Sequence, residues 1–123
     1  MRKPEIHKKV WGIEKWIANT DKYCGKVLEL GRAYRSSIHY HEKKDETFYL
    51  LKGMVLIEIN DGQEEVMRED DILDIYPLTR HRFTGLEDSI IVEFSTHHEE
   101  LDSFRGDTES ERIPEEEFKQ LLE

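Results

Sequence analysis

The sequence predicts an all-β fold, an antiparallel sandwich or barrel finished by one short C-terminal helix. Three observations predict it. Short apolar-rich segments recur between turn signals at roughly 8–12-residue spacing, the pattern of small β-barrels. Met54–Ile59 alternates cleanly, with Met54, Leu56 and Glu58 against Val55, Ile57 and Ile59, the two-residue period of a strand. Helix signals occur only at the end of the chain, where Pro114 precedes Glu115, Glu116 and Glu117.

Taken in order, Trp11 and Trp16 flank a first strand and are read as packing at a barrel edge or subunit interface. Tyr23–Leu30 carries Val27, Leu28 and Leu30. A strand over Ser36–Tyr40 leads into a histidine pair, and Thr47–Leu51 is aromatic and aliphatic. Asn60-Asp61-Gly62 supplies a hairpin turn, since Asp and Gly accept positive φ, and Gln63–Met67 is the return strand. Asp71–Tyr76 alternates again until Pro77 removes a ladder donor. Ser89–Phe94 is strongly apolar. Residues 99–112 read as a loop or extended arm. Residues 114–122 read as an amphipathic helix with Phe118, Leu121 and Leu122 on one face, its first-turn carboxylates favoured by the helix dipole. The 123 residues make one domain: a barrel over 1–98, including the N-terminal strands, and an acidic arm with its helix over 99–123.

The formal charge of −10 argues against nucleic acid, whose phosphates favour a basic face. Residues 99–123 hold ten acidic and three basic side chains, read as a solvated tail. No apolar run approaches the roughly 20 residues that span a bilayer, so no membrane partner is expected. No apolar stretch follows Met1-Arg2-Lys3-Pro4-Glu5, so no secretory signal is expected. Cys24 is the only cysteine, which fits a reducing cytoplasm; it is read as a small buried residue rather than a nucleophile. Strand edges of a small barrel need cover, so a homodimer joined through the N-terminal segment is expected.

Function is most legible in His39, His41 and Glu46, with His81 much later. Side chains at i and i+2 of a strand share a face, so His39 and His41 can grip one ion. Glu46 follows a short polar stretch in which the chain can turn back. Three imidazoles and a carboxylate suit one divalent transition metal per chain, with Mn, Fe, Co, Ni and Zn all acceptable. Such a set leaves positions open for substrate. His7 and His97 are read as ordinary surface or partly buried histidines.

The run His39-x-His41-x4-Glu46-x6-Gly53 resembles the first motif of the cupins. Asp71-x5-Pro77-x-Thr79-x-His81-x3-Gly85 resembles the second; its proline and histidine are kept one residue closer together, and the motif's glycines and asparagine are replaced. The resemblance implies a cupin double-stranded β-helix, or jelly-roll barrel. Within the cupins, Val10-Trp11-Gly12-Ile13-Glu14 is similar to the entry strand of type II phosphomannose isomerases. Leu50-Leu51-Lys52-Gly53, His81-Arg82-Phe83, Glu93-Phe94-Ser95-Thr96 and Glu99-Glu100-Leu101-Asp102 extend that likeness, and Arg105-Gly106-Asp107-Thr108 departs from it.

This narrower resemblance implies a small sugar or sugar phosphate as ligand and aldose–ketose isomerisation as the reaction, with the metal as Lewis acid and a nearby base moving the proton. Glu93 is the candidate base, with an outward, solvated glutamate as the other reading. Lys44, Arg80 and Arg82 are candidates for a phosphate or carboxylate, or surface charges. Tyr49 and Phe83 are candidates for lining the pocket, or core residues. Two other classes stay open: an Fe(II)-dependent cupin dioxygenase, and a non-enzymatic sugar-binding or regulatory cupin.

Overall fold

The computed structural model describes residues 1–60 and 62–123. Of the predicted Asn60-Asp61-Gly62 turn, Asp61 lies outside the described residues. The elements run β1 (Glu5–Lys9), β2 (Gly12–Asn19), β3 (Cys24–Leu30), β4 (Tyr34–Arg35), β5 (His39–His41), β6 (Glu46–Lys52), β7 (Met54–Ile59), β8 (Gln63–Arg68), β9 (Ile72–Ile75), β10 (His81–Gly85), β11 (Ser89–Ser95), a 3-10 turn (Glu100–Asp102), β12 (Ser103–Arg105), β13 (Glu111–Arg112) and α1 (Glu115–Leu121). The first sheet has the order β1-β2-β3-β11-β6-β9. In the second, β10 lies between β7 on one side and β5 and β4 on the other; β8 extends the β7 edge, β12 pairs with β5, and β13 with β4. All these pairings are antiparallel. Among the described residues, no helix is long and apolar enough to cross a membrane.

Side-chain alternation explains both the core and its polarity. On β3, Cys24, Lys26, Leu28 and Leu30 are buried. On β11 the buried positions are Ser89, Ile91 and Glu93; on β6 they are Glu46, Phe48 and Leu50. Ile91 is in register with Leu28 and Leu50, and Glu93 with Lys26 and Phe48. These neighbouring strands therefore change from apolar to charged along a common direction. One end of the barrel is packed by Leu28, Leu30, Leu50, Val55, Ile57 and Ile91, and the other end is polar.

Three sequence expectations change here. The Val10–Glu14 segment divides: residues 10 and 11 make the turn of the β1–β2 hairpin, and Gly12 opens β2. Gly12 has φ +149°, and a Cβ there would sit 1.9 Å from the Glu29 carbonyl, so only glycine fits this close pairing. Residues 99–112 are not simply a loop, since β12 and β13 extend the second sheet. The helix forms where predicted, but its burial centres on Phe118, while Leu122 is half exposed. Phe118 packs with Ala33, Leu56, Leu86 and Ile113 in a second core on the outer side of the second sheet. That explains why β7 is apolar on both faces at its centre: Val55 and Ile57 face the barrel, and Leu56 meets the cluster that includes Phe118.

Candidate metal centre

β5 and β10 place His39 directly opposite His81. His39, His41 and His81 bring one ring nitrogen each to within 4.8 Å of the others. Nδ1 of His39 lies 3.1 Å from the Ser37 carbonyl, Nδ1 of His41 lies 3.0 Å from that of Asp102, and Nδ1 of His81 lies 2.9 Å from that of Thr79. A carbonyl only accepts, so each Nδ1 carries the proton and donates. That tautomer leaves the lone pair on Nε2, as a metal needs. Burial, with His81 beside it, drives His39 well below the ordinary histidine range. Burial and then Lys44 lower His41 to about 4. Both rings are neutral at neutral pH.

Glu46 lies beside the three rings. Its Oε2 lies 3.8 Å from Nε2 of His41 and 3.5 Å from Nε2 of His81. Among the described residues, Glu46 Oε2 and His81 Nε2 are buried with no hydrogen-bond partner. Buried polar atoms without partners are costly and rare, and a shared cation satisfies both. The donor set therefore fits a divalent metal. The turn before His81 is one residue shorter than the motif it resembles, yet it delivers the ring. Thr79 N–H donates to the Tyr76 carbonyl at 3.2 Å, Leu78 N–H to the His41 carbonyl at 2.6 Å, and Leu78 adopts φ +68°, a conformation for which glycine is usual.

The cluster opens on a cavity of about 120 Å3. Lys44 is buried in its wall and is fully engaged. Its Nζ lies 3.0 Å from Glu46 Oε1, 2.9 Å from Glu93 Oε2 and 3.1 Å from His98 Nδ1. Burial opposes this charge, but Glu93 and Glu46 outweigh it and hold Lys44 as an ammonium. Its three N–H donors thus meet three protein acceptors. Glu93 is buried and faces the cavity, not solvent; its Oε2 also accepts from Ser95 Oγ at 3.1 Å. Phe83 lines the same cavity, edge-on to Trp11 at 5.1 Å between ring centres.

Tyr49, Arg80 and Arg82 do not line the cavity. Tyr49 and Arg82 alternate with the inward Phe48, Phe83 and His81 and so face outward. Tyr49 donates to Asp70 at 2.5 Å, and Arg82 to Glu58 at 3.2 Å. Arg80 is exposed ahead of β10. Of the other two histidines read as ordinary, Nδ1 of His97 donates to the Thr20 carbonyl at 2.7 Å, and His7 stacks on Trp16. Cys24 is buried, and that burial raises its thiol above the usual range.

Four residues of the site were not singled out from the sequence. Asp102 accepts the backbone N–H groups of Glu42, Lys43 and Lys44 at 2.9–3.2 Å. Burial opposes its charge, but these bonds hold the carboxyl below its usual range. His98 lines the cavity, and burial followed by Lys26 and Lys44 lowers it to about 4. Lys26 and Glu14 form a second buried ion pair at 2.9 Å. Lys26 carried a readable signal, a charge at an inward position of an otherwise apolar strand. His98 and Asp102 carried none, because their partners lie more than 50 residues away in sequence.

Two sheets closed face to face, with three convergent histidines that could hold a metal ion, make a double-stranded β-helix. Residues 28–98 match the family described as Cupin domain, and the chain belongs to it. No curated protein sequence matches the chain. Among solved structures, it is similar to Pac13 of Streptomyces, a nucleoside dehydratase solved with uridine, with TM-score 0.74, 14% identity, and 94% of this chain and 90% of that one covered. KdgF from Halomonas sp. gives TM-score 0.66 and 21% identity over 72% of this chain and 81% of that one. Oxalate decarboxylase from Bacillus subtilis gives TM-score 0.72 and 14% identity over 83% of this chain but 30% of that one. At these identities the likeness shows the fold.

Proposed function

We propose that this cupin is a metal-dependent isomerase of a small sugar or sugar phosphate, interconverting aldose and ketose. The observation that carries the reading is the state of Glu93. Lys44 and Ser95 hold its Oε2, while Oε1 accepts no hydrogen bond among the described residues. A carboxylate fixed by one oxygen, with the other free in the cavity, can take a proton from one carbon of a hydroxy-carbonyl compound and return it to the next. A bound divalent cation would supply Lewis-acid polarisation of the substrate oxygens. Its holders would be His39, His41, His81 and Glu46. Lys44 compensates the charge of Glu46 and Glu93 and fixes both. The cavity has room for on the order of ten water-sized groups, which suits a pentose or hexose.

The sequence likeness to type II phosphomannose isomerases supports the same chemistry. We place the chain in the cytoplasm, where its single buried cysteine would stay reduced. We also propose a homodimer. β1 is an unpaired edge of the first sheet, and Ile17 on β2 and Phe94 on β11 are exposed; sedimentation as a monomer at high concentration refutes it.

The test of function incubates metal-loaded protein with aldoses and phosphosugars in deuterated water. Proton transfer through Glu93 washes deuterium into C1 or C2, and Glu93→Gln abolishes product while metal content is retained. Isomerisation without label indicates a hydride shift and removes Glu93 from the role. No product from any sugar, with oxygen uptake by the Fe(II)-loaded protein, moves the assignment to a dioxygenase.

A further inference from the structure

Strands β2 and β3 bring a second charged pair into the cavity. Lys26 Nζ lies 2.9 Å from Glu14 Oε1 and 4.5 Å from the centre of the Trp16 ring. The Trp16 indole N–H donates to the same Glu14 oxygen at 2.6 Å. The Lys26 side chain is 2% exposed and that of Glu14 14%, and both line the cavity. Burying an ion pair costs more in desolvation than apolar packing would, so stability does not account for it. The inward neighbours of Lys26 along β3, Cys24 and Leu28, show that apolar side chains are accommodated in this wall.

The pair is also only partly satisfied. Among the described residues, Lys26 has no acceptor besides Glu14, although an ammonium carries three donors. Among the described residues, Glu14 Oε2 accepts no hydrogen bond either. The cavity wall thus presents an ammonium donor and a carboxylate acceptor side by side.

We propose that Glu14 and Lys26 form a hydroxyl-binding couplet, which holds two neighbouring hydroxyls of the ligand and selects an uncharged polyol end over a phosphorylated one. This deepens the isomerase reading and rests on it for the ligand class. A hydroxyl donates and accepts, so one can give its proton to Glu14 Oε2 while its neighbour accepts from Lys26. A phosphate dianion only accepts. It would satisfy Lys26 but meet the Glu14 carboxylate beside it.

The test is calorimetric titration of metal-loaded protein with sorbitol and with its phosphate monoester, neither of which has a carbonyl to isomerise. Sorbitol should bind more tightly than the phosphate. Glu14→Gln should weaken sorbitol about tenfold and strengthen the phosphate by a similar factor, the scale of one hydrogen bond to a charged group. A gain in phosphate binding cannot come from misfolding. Lys26→Met alone strands the Glu14 carboxylate, so the double variant E14M/K26M, with unchanged melting temperature and metal content, is the control; it should lose sorbitol at least tenfold. Tighter wild-type binding of the phosphate, or sorbitol affinity unchanged in E14Q and E14M/K26M, overturns the proposal. Sorbitol binding that responds to both variants, with no aldose turned over, leaves the couplet standing and removes the isomerase reading. Isomerisation with kcat and KM unchanged in both variants does the reverse.

Discussion

Replacing Asp102 tests whether the C-terminal segment sets the metal site. Asp102 is buried, and its two carboxylate oxygens accept N–H groups from three successive residues, Glu42, Lys43 and Lys44. That loop joins His41 to Glu46. Asp102→Ala leaves three donors without their acceptor. Lys44 is itself buried, so its N–H carries a penalty of about 1–3 kcal/mol. Water can reach the more exposed Glu42 and Lys43, which add about 1 kcal/mol together. The expected loss is therefore about 3 kcal/mol in urea unfolding of metal-free protein. Asp102→Asn keeps Oδ1 for Glu42 and Lys43 but turns an amide donor toward Lys44, so it should cost about 1–2 kcal/mol. Metal affinity, measured by titration on the folded variants, should fall about 10–100-fold because the loop orients Glu46. An alanine variant within 0.5 kcal/mol of wild type (about the scatter expected of a neutral surface change) that also binds metal normally would refute the reasoning.

Three further outcomes are expected. His41→Ala should abolish stoichiometric metal by elemental analysis; full occupancy would put the site elsewhere, and occupancy surviving only His81→Ala would make His81 a pocket residue. Phe118→Ala should destabilise the protein by about 3–5 kcal/mol in denaturant unfolding, since a fully buried ring is removed. The metal-free protein should lose stability as pH falls from about 6.5 toward 4. Burial holds His41 and His98 down at about 4 in the folded chain against 6.5 when free, so the unfolded chain takes up protons first and the stability present above 6.5 is progressively lost toward pH 4; urea midpoints unchanged between pH 7 and 5 would contradict this.

What could be read from the chain divides by distance along it. Met54–Ile59 was legible because a two-residue period is a local property, Ser89–Phe94 because an apolar run is one too, and the histidine pair because i and i+2 share a face. Gly53 entered only through the motif resemblance, and its need for glycine is a distant contact: at φ +98° a Cβ there would come within 2.2 Å of Ser89 Oγ. Burial of Leu56 on the outer face was not, because its cover is supplied by Ile113 and Phe118. The substrate candidates divided similarly. Type of charge brought Lys44, Arg80 and Arg82 together, but the loop between β5 and β6 carries Lys44 inward, while strand alternation turns Arg82 outward. Lys26 stood out alone as an inward charge, but its pairing with Glu14 shows only when β2 and β3 are laid side by side.

The pairing of β5 with β12 has a consequence for biosynthesis. His39–His41 is hydrogen-bonded to residues 103–105, and the His41 ring is aimed by the carbonyl of Asp102. A nascent chain that has left the ribosome only as far as residue 98 already contains all four proposed ligands, but not the strand that fixes two of them. Ion capture should therefore follow translation of the tail. A truncated product of proteolysis or premature termination would carry all four ligands and still be a poor competitor for the cell's metal.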